Sequence, residues 1–205
     1  MTSQEFKNEF LIHYNAIATS SAPGLDDYEI SVFLTKAQLE IVKNYYDPLS
    51  NRKQKGFESS EKRRVDLKEL IRSYSTSTSF NDSDAMHSQS KFFSVPLDVF
   101  LIIHERVKVT STDCNNGKTL TVRPITHDNF NAQINNPFRR PDLSGEAWRL
   151  DNRSIAGTPA VEIISPFNLN GTLQYTVRYI KYPRPIILGN LTTLFPGDNL
   201  SIDGI

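Results

Sequence analysis

A change in hydrophobic period near residue 90 limits the folds open to this chain more than any other pattern in it. Before it, apolar residues recur every three or four positions, as on one face of a helix. After it, they alternate or run in short β-branched and aromatic blocks. Phe6, Phe10, Tyr14 and Ile17 form a helical stripe over residues 3–19. "TSSAPG" then breaks it with Pro and Gly. "LDDYEISVFLTKAQLEIVKNYYDP" is the clearest local signal. Asp26 and Glu29 have the spacing of a capping box, and Leu25 and Ile30 that of a hydrophobic staple. Ile30, Phe33, Leu34, Ala37, Ile41 and Tyr45 predict a wide inward face, and Asp47-Pro48 predicts the stop. A third helix is expected over residues 60–74, with Leu67, Leu70, Ile71 and Tyr74 inward. The polar stretch 75–90 reads as a loop.

From residue 91, "KFFSVPLDVFLIIHERVKVT" predicts strands, "NNGK" at 115–118 a hairpin turn, and "TLTVRP" the returning strand. "THDNFNAQI" predicts a short helix near 127–134, capped by Thr126, with Phe130 and Ile134 on one side. Further strands are expected at about 146–151, 160–165 and 172–182, the last two joined by a turn at "NLNG". In the last strand Leu173, Tyr175, Val177, Tyr179 and Lys181 share one face, and Thr176, Arg178, Ile180 and Tyr182 the other. Apolar residues on both faces predict cover on both sides. The expected fold is α+β, an N-terminal helical bundle joined to a C-terminal antiparallel β-sheet or sandwich. The expected division is a helical part at 1–90, with its polar loop at 75–90, and a mainly antiparallel β part at 91–205.

Composition narrows the function. The 23 basic and 23 acidic residues cancel. Nonspecific wrapping of nucleic acid needs a basic excess to displace counterions, so zero net charge argues against that role. One cysteine, Cys114, makes neither an internal disulfide nor a CxxC metal site, which fits assembly in a reducing cytoplasm. The N-terminus lacks the unbroken apolar run of a signal peptide, and no stretch approaches the roughly 20 apolar residues of a membrane span.

The stretch "PITHDNFNAQINNPFRRP" at 124–141 concentrates polar side chains. Its His127-Asp128 pair invites a base with an orienting acid. Adjacent helical residues point about 100° apart, so helix capping by Thr126 and Asp128 is the better reading. His104 and Glu105 are neighbours in a strand and face opposite sides. The four histidines show no metal-ligand spacing, and "NDSD" at 81–84 is only a fragment of a calcium loop. The phosphate-cradling GxxxxGK[ST] spacing is absent. "KQKGFESSEKRR" at 53–64 mixes Glu58 and Glu61 with its cations and reads as a solvated helix start before it reads as a DNA contact. No catalytic, metal or cofactor-binding residue is assigned, and no enzyme is expected.

Two Pro-Arg segments remain. In "NPFRRP", Pro137 and Pro141 stiffen a segment that holds Phe138, Arg139 and Arg140. Phe138 anchors either into the domain's own core or into a neighbour, and the composition suits a protein interface as well as it suits a surface loop with solvated arginines. "YPRPIIL" at 182–188 is extended, and Ile186, Ile187 and Leu188 need burial either against the helices or on another subunit. A second class of function is a carbohydrate- or host-receptor-binding β domain on a helical stalk, with Trp148 and the tyrosines stacking on sugars. Burial of Trp148 would count against it.

"APGLDDYEISVFLTKAQLEIV", "ITHDNFNAQINNPFRRP", "AWRL" and "YTVRYIKYPRPIIL" occur here in that order. Together, from about residue 20 to 205, they resemble the portal-vertex ring and head-tail connector proteins of crAss-like tailed bacteriophages. The resemblance implies a structural virion protein in a homo-oligomeric ring, expected to follow the twelvefold symmetry of the portal. Portal and other connector or tail proteins would be its partners, and DNA would pass through the lumen without specific binding. No membrane is involved, and the location implied is the portal vertex or neck after assembly in the host cytoplasm. Phe138, Arg139 and Arg140, with Tyr182, Arg184 and Pro185, become the expected subunit-interface residues. Proteins of this group are expected to continue past a segment like "LSIDGI" into an acidic stretch and a helix, so Ile205 is an unexpected stopping point.

Overall fold

A computed structural model describes residues 3–17, 23–47, 49, 56–81, 83, 85–111, 115–141, 145–155, 157–166 and 172–188. The chain forms two compact units, Met1–Asp66 together with Pro183–Ile205, and Leu67–Tyr182. The α+β class is as expected from the change of period.

The first unit holds α1 (Ser3–Ile17), α2 (Asp27–Tyr46) and most of α3 (Glu61–Leu67). The capping box of α2 forms as its spacing predicts. Asp26 Oδ1 accepts the Glu29 N–H at 2.8 Å, and the Asp26 N–H donates to Glu29 Oε2 at 3.1 Å. The helix stops at Asp47, whose φ of −89° and ψ of 121° are extended, as expected before Pro48. At this end the Arg63 guanidinium donates to the Tyr45 carbonyl at 3.3 Å and lies over the Tyr45 ring. A cation there complements the negative end of the helix dipole.

Only part of the α2 apolar face is buried. Ile30 and Val42 are inside, whereas Phe33 and Ile41 are more than half exposed. The segment 183–188 returns along this helix. The Leu188 N–H donates to Ser31 Oγ and the Ile186 N–H to Thr35 Oγ1, both at 3.1 Å. Hydroxyls one helical turn apart thus replace the partners that an extended chain lacks. Ile186, Ile187 and Leu188 are half-buried, which answers where this apolar run goes.

The third helix is shorter than its periodicity predicts. It ends at Leu67, a single 3-10 turn comes next at Lys68–Leu70, and a strand starts at Ile71. The spacing of Leu67, Leu70, Ile71 and Tyr74 suits a helix. The β-branched and hydroxyl residues of "IRSYST" do not, and pairing with the last strand decides the matter.

The second unit is one eight-stranded sheet among the described residues, with β1 (Ile71–Thr76), β2 (Ser79–Phe80), β3 (Ser90–Ser94), β4 (Val99–Thr110), β5 (Thr119–Pro124), β6 (Glu146–Ile155), β7 (Thr158–Ile164) and β8 (Thr172–Lys181). The spatial order is β1-β8-β4-β5-β6-β7-β3-β2. All pairs are antiparallel except β5 with β6. That parallel pair needs a crossover, and α4 (His127–Ile134) supplies it. The β4–β5 turn forms at "NNGK", where Gly117 takes the positive φ of 80°. The expected "NLNG" turn and Cys114 lie outside the described residues.

The sheet is strongly curled. β1 and β2 are its outermost strands, yet only Ser77 and Thr78 separate them in sequence. Three Cα steps span at most about 11 Å. The edges of a flat sheet of this width would be about 34 Å apart. Phe93 on β3 and Tyr175 on β8 confirm the curl, with ring centroids 5.6 Å apart although four strands lie between them in the sheet. The enclosed core includes Phe93, Val107, Leu120, Val161, Tyr175 and Val177. On the other face α4 packs Phe130 against Trp148, Leu150 and Ile164. Elsewhere that face is more open than expected: of β8, Thr172, Gln174 and Arg178 are exposed, and Ile180 alone is fully buried.

One charged cluster lies inside the curl. Glu105 is 5% exposed. Its Oε1 accepts the Tyr175 hydroxyl, and Arg149 Nε reaches its Oε2 at 3.3 Å. Burial pushes the Glu105 carboxyl up, against the downward pull of Arg149 and of the Tyr175 hydrogen bond. Burial, then the neighbouring carboxylate, drive the Tyr175 hydroxyl far up as well.

These contacts generate two tests of stability. Asp26→Ala removes one side of the capping box and is expected to cost about 1 kcal/mol in a denaturant titration followed by far-UV circular dichroism. Arg149→Met leaves Glu105 buried without its cation and is expected to cost about 3–5 kcal/mol at neutral pH. A carboxyl whose folded pKa is raised stabilises the fold below its unfolded pKa and loses that contribution as pH rises through the folded value. The Arg149→Met deficit should therefore grow from pH 4 to pH 8. A deficit that is flat with pH would mean that Glu105 is already neutral in the native protein.

Candidate assembly surface

The crossover that makes β5 and β6 parallel also builds the most exposed aromatic feature of the sheet unit. Ile125 donates its N–H to the Arg149 carbonyl at 2.8 Å, closing the end of β5 onto β6. α4 then starts after Thr126. Thr126 has the extended φ and ψ of a cap, but its side chain bonds none of the helix N–H groups. Instead its Oγ1 accepts Asn129 Nδ2 at 3.0 Å, and its carbonyl accepts the Asn129 N–H at 3.1 Å. The side-chain cap expected from sequence is therefore replaced by a backbone turn. His127 and Asp128 are both exposed, at the start of a helix that is anchored by Phe130 instead.

After α4 the chain turns tightly around Asn136. Asn136 Oδ1 accepts the Phe138 N–H at 3.0 Å, and the Asn136 carbonyl accepts the N–H groups of Arg139 and Arg140 at 3.0 and 3.1 Å. Asn side chains favour such turns because they imitate a backbone carbonyl two residues away. Pro137 holds φ inside the turn, and Pro141, which is buried, holds its base. Phe138 stands at the tip, 95% exposed, flanked by exposed Arg139 and Arg140. A phenyl ring gains about 1.5–3 kcal/mol on full burial, and within this unit Phe138 collects none of it. Three of the expected interface residues are thus presented together on a hydrogen-bonded turn.

Tyr182 belongs to a second group. Its N–H donates to the Asp98 carbonyl at 2.9 Å, and its ring lies 4.4 Å from that of Phe100. Asp98 is exposed, and its Oδ1 accepts the Tyr179 hydroxyl at 2.9 Å. Burial, together with that hydrogen bond and the Asp98 charge, pushes the Tyr179 hydroxyl up to about 12. Leu97 stands beside Asp98 in the same turn, 83% exposed. Leu97, Asp98 and Phe100 were not anticipated as surface features. The signal in the residues was the Pro-Leu-Asp order of a turn that comes after a strand, which places Leu97 at its tip. Arg184 and Pro185 are exposed on the returning segment of the helical unit, while Pro183 between them and Tyr182 is buried.

The other polar candidates separate as their chemistry requires. His104 is exposed and Glu105 buried, on opposite faces of β4. Trp148, the proposed sugar platform, is 1% exposed and meets Phe130 edge-on, so it is a core residue and offers no stacking face. In the 53–64 cluster, Phe57 is buried and Arg63 is engaged by α2, with Lys62 and Arg64 exposed. Among the described residues no three His, Cys, Asp or Glu side chains gather to hold a metal, and no helix is long and apolar enough to cross a membrane.

Comparison with known proteins identifies the family. The model of the family described as phage tail ring protein 3/4 matches residues 1–205. The chain is similar to "Ring protein 4/5" of Bacteroides phage crAss001, 39% identical over 207 aligned residues that cover all of this chain and 82% of the relative. It is also similar to "Ring protein 3" of the same phage, 33% identical over 207 residues covering all of this chain and 84% of that relative. The match covers the helical unit, the curled sheet and both exposed groups, and on that footing the chain belongs to the phage tail ring protein 3/4 family.

Proposed function

We propose that this chain is the subunit of a homo-oligomeric ring at the neck of a tailed phage. The ring is a head-tail connector that stacks beneath the portal and lines part of the DNA conduit. Its role is structural and not enzymatic, and twelve copies would match the symmetry of the portal. Portal protein and other connector or tail proteins are its neighbours.

The observation that carries this reading is the whole-length match to ring proteins of one phage, joined to a surface built for contact. A Phe at 95% exposure on a hydrogen-bonded turn between two Pro residues gains its apolar burial only from a partner that covers it, and rigid aromatics of this kind are favoured as interface anchors. Its two arginines offer planar, bidentate contacts to carboxylates on that partner. The balance of 23 basic and 23 acidic residues suits a conduit wall, since a strongly cationic lumen would hold DNA by its phosphates and slow its passage. Tyr182, Arg184 and Pro185 complete the set of interface residues under this reading.

Affinity purification of the tagged protein from infected cells, with partners identified by mass spectrometry, tests the location. A portal-sized subunit and other virion proteins are expected in the eluate. Recovery of the chain alone would count against a place in the neck. Arg139→Ala with Arg140→Ala is expected to leave far-UV circular dichroism and the melting temperature unchanged, because both side chains are exposed, while ring assembly is lost. Wild-type assembly by that double variant would remove the arginines from the interface.

A further inference from the structure

The two exposed groups of the sheet unit lie on different elements of it. Leu97, Asp98, Phe100 and Tyr182 gather where β4 begins and β8 ends, since Val99 pairs with Lys181. The Phe138 turn lies on the crossover that carries the chain away from that end. The crossover lands at Glu146, which pairs with Thr121, which in turn pairs with Arg106. Val99 pairs with Lys181 and Arg106 with Thr176, so the two positions are five residues apart along β8, or about 17 Å at the rise of a strand. Within one copy the two groups do not cover each other, since Phe138 is 95% and Leu97 83% exposed.

Their chemistry is complementary. One group is a single apolar knob with two cations, Phe138 with Arg139 and Arg140. The other offers an exposed leucine, Leu97, a tilted pair of rings, Phe100 and Tyr182, and one exposed carboxylate, Asp98. Asp98 already gives Oδ1 to Tyr179, which holds its carboxylate in place for a further donor. A guanidinium has both partners it favours here, a carboxylate to bond and an aromatic face to lie on.

From this juxtaposition we infer that the Phe138–Arg140 turn of one copy docks on the Leu97–Asp98–Phe100–Tyr182 patch of the next. Phe138 packs against Leu97 and the two rings, and Arg139 or Arg140 pairs with Asp98. The contact joins unlike surfaces, so a docked pair keeps one free knob on one copy and one free patch on the other. Such head-to-tail contacts propagate and close into a ring when the rotation permits. The docking rests on the proposed ring and names the contact that makes it.

Two variants test it. The knob variant carries Phe138→Ala, Arg139→Ala and Arg140→Ala. The patch variant carries Leu97→Ala and Tyr182→Ala. All five side chains are exposed, and an unchanged melting temperature for each variant checks the fold. Sedimentation of the wild-type chain over rising concentration is expected to show large closed oligomers, and each variant alone is expected to remain monomeric. An equimolar mixture is expected to give a species of twice the monomer mass and nothing larger, because only one knob and one patch survive per pair. Oligomers formed by either variant alone, or a mixture that stays monomeric, would overturn the docking while leaving the ring itself standing. A wild-type chain that stays monomeric throughout would overturn both. As a check of the ion pair, Asp98→Ala in the otherwise wild-type chain should weaken self-association at least tenfold, and an unchanged association constant would remove Asp98 from the contact.

Discussion

Curling of the eight-stranded sheet underlies the rest of the sheet unit. It brings Phe93 of β3 to Tyr175 of β8, and it lets the two outermost strands be consecutive in the chain. A flat sheet of this width would leave its apolar face to water and its two edges far apart. Curled, it encloses that face as its own core and needs no second sheet. The same curvature explains the position of Glu105. Its carboxylate lies inside the curl, where Tyr175 from β8 and Arg149 from β6 converge on it from either side of β4. A lone buried carboxylate would be expensive. One that is bonded to two strands constrains their register as well as their distance.

α4 is the second consequence of the sheet order. A parallel β5–β6 pair cannot be joined by a tight turn, so the chain leaves the sheet, crosses it and returns. Phe130 and Trp148 bury that crossing against the outer face. The turn after the helix is left outside by the same geometry. There Asn136 satisfies the local backbone and Phe138 is presented to solvent.

Much of this was legible in the residues themselves. The α2 capping box, the stop before Pro48, the hairpin turn at Gly117 and the short helix around Phe130 and Ile134 all arise from contacts within a few positions in sequence. Phe138, Arg139 and Arg140 could be singled out because Pro137 and Pro141 forbid a central strand there. Other features were hidden because distant partners decide them. Ile71 and Tyr74 have helical spacing but are drawn into β1 by β8, about a hundred residues later. The cap expected of Thr126 gives way to a bond with Asn129. Leu97, Asp98 and Phe100 become a patch only when Tyr182 arrives beside them from the far end of the unit.

The change from helices to strands along the chain, the α2 cap, the Gly117 turn and the short stiff Pro segments are set by local sequence. They depend on φ, ψ and side-chain bonds spanning a few residues, and single residue types such as Pro, Gly, Asn and Asp impose them. The strand order, the one parallel pair, the curl that closes the core and the burial of Glu105 with Arg149 and Tyr175 are set by tertiary packing. These rest on pairings between segments tens of residues apart. Many alternating strands could serve as partners there, and the choice depends on the summed burial of the whole sheet, which no local stretch contains.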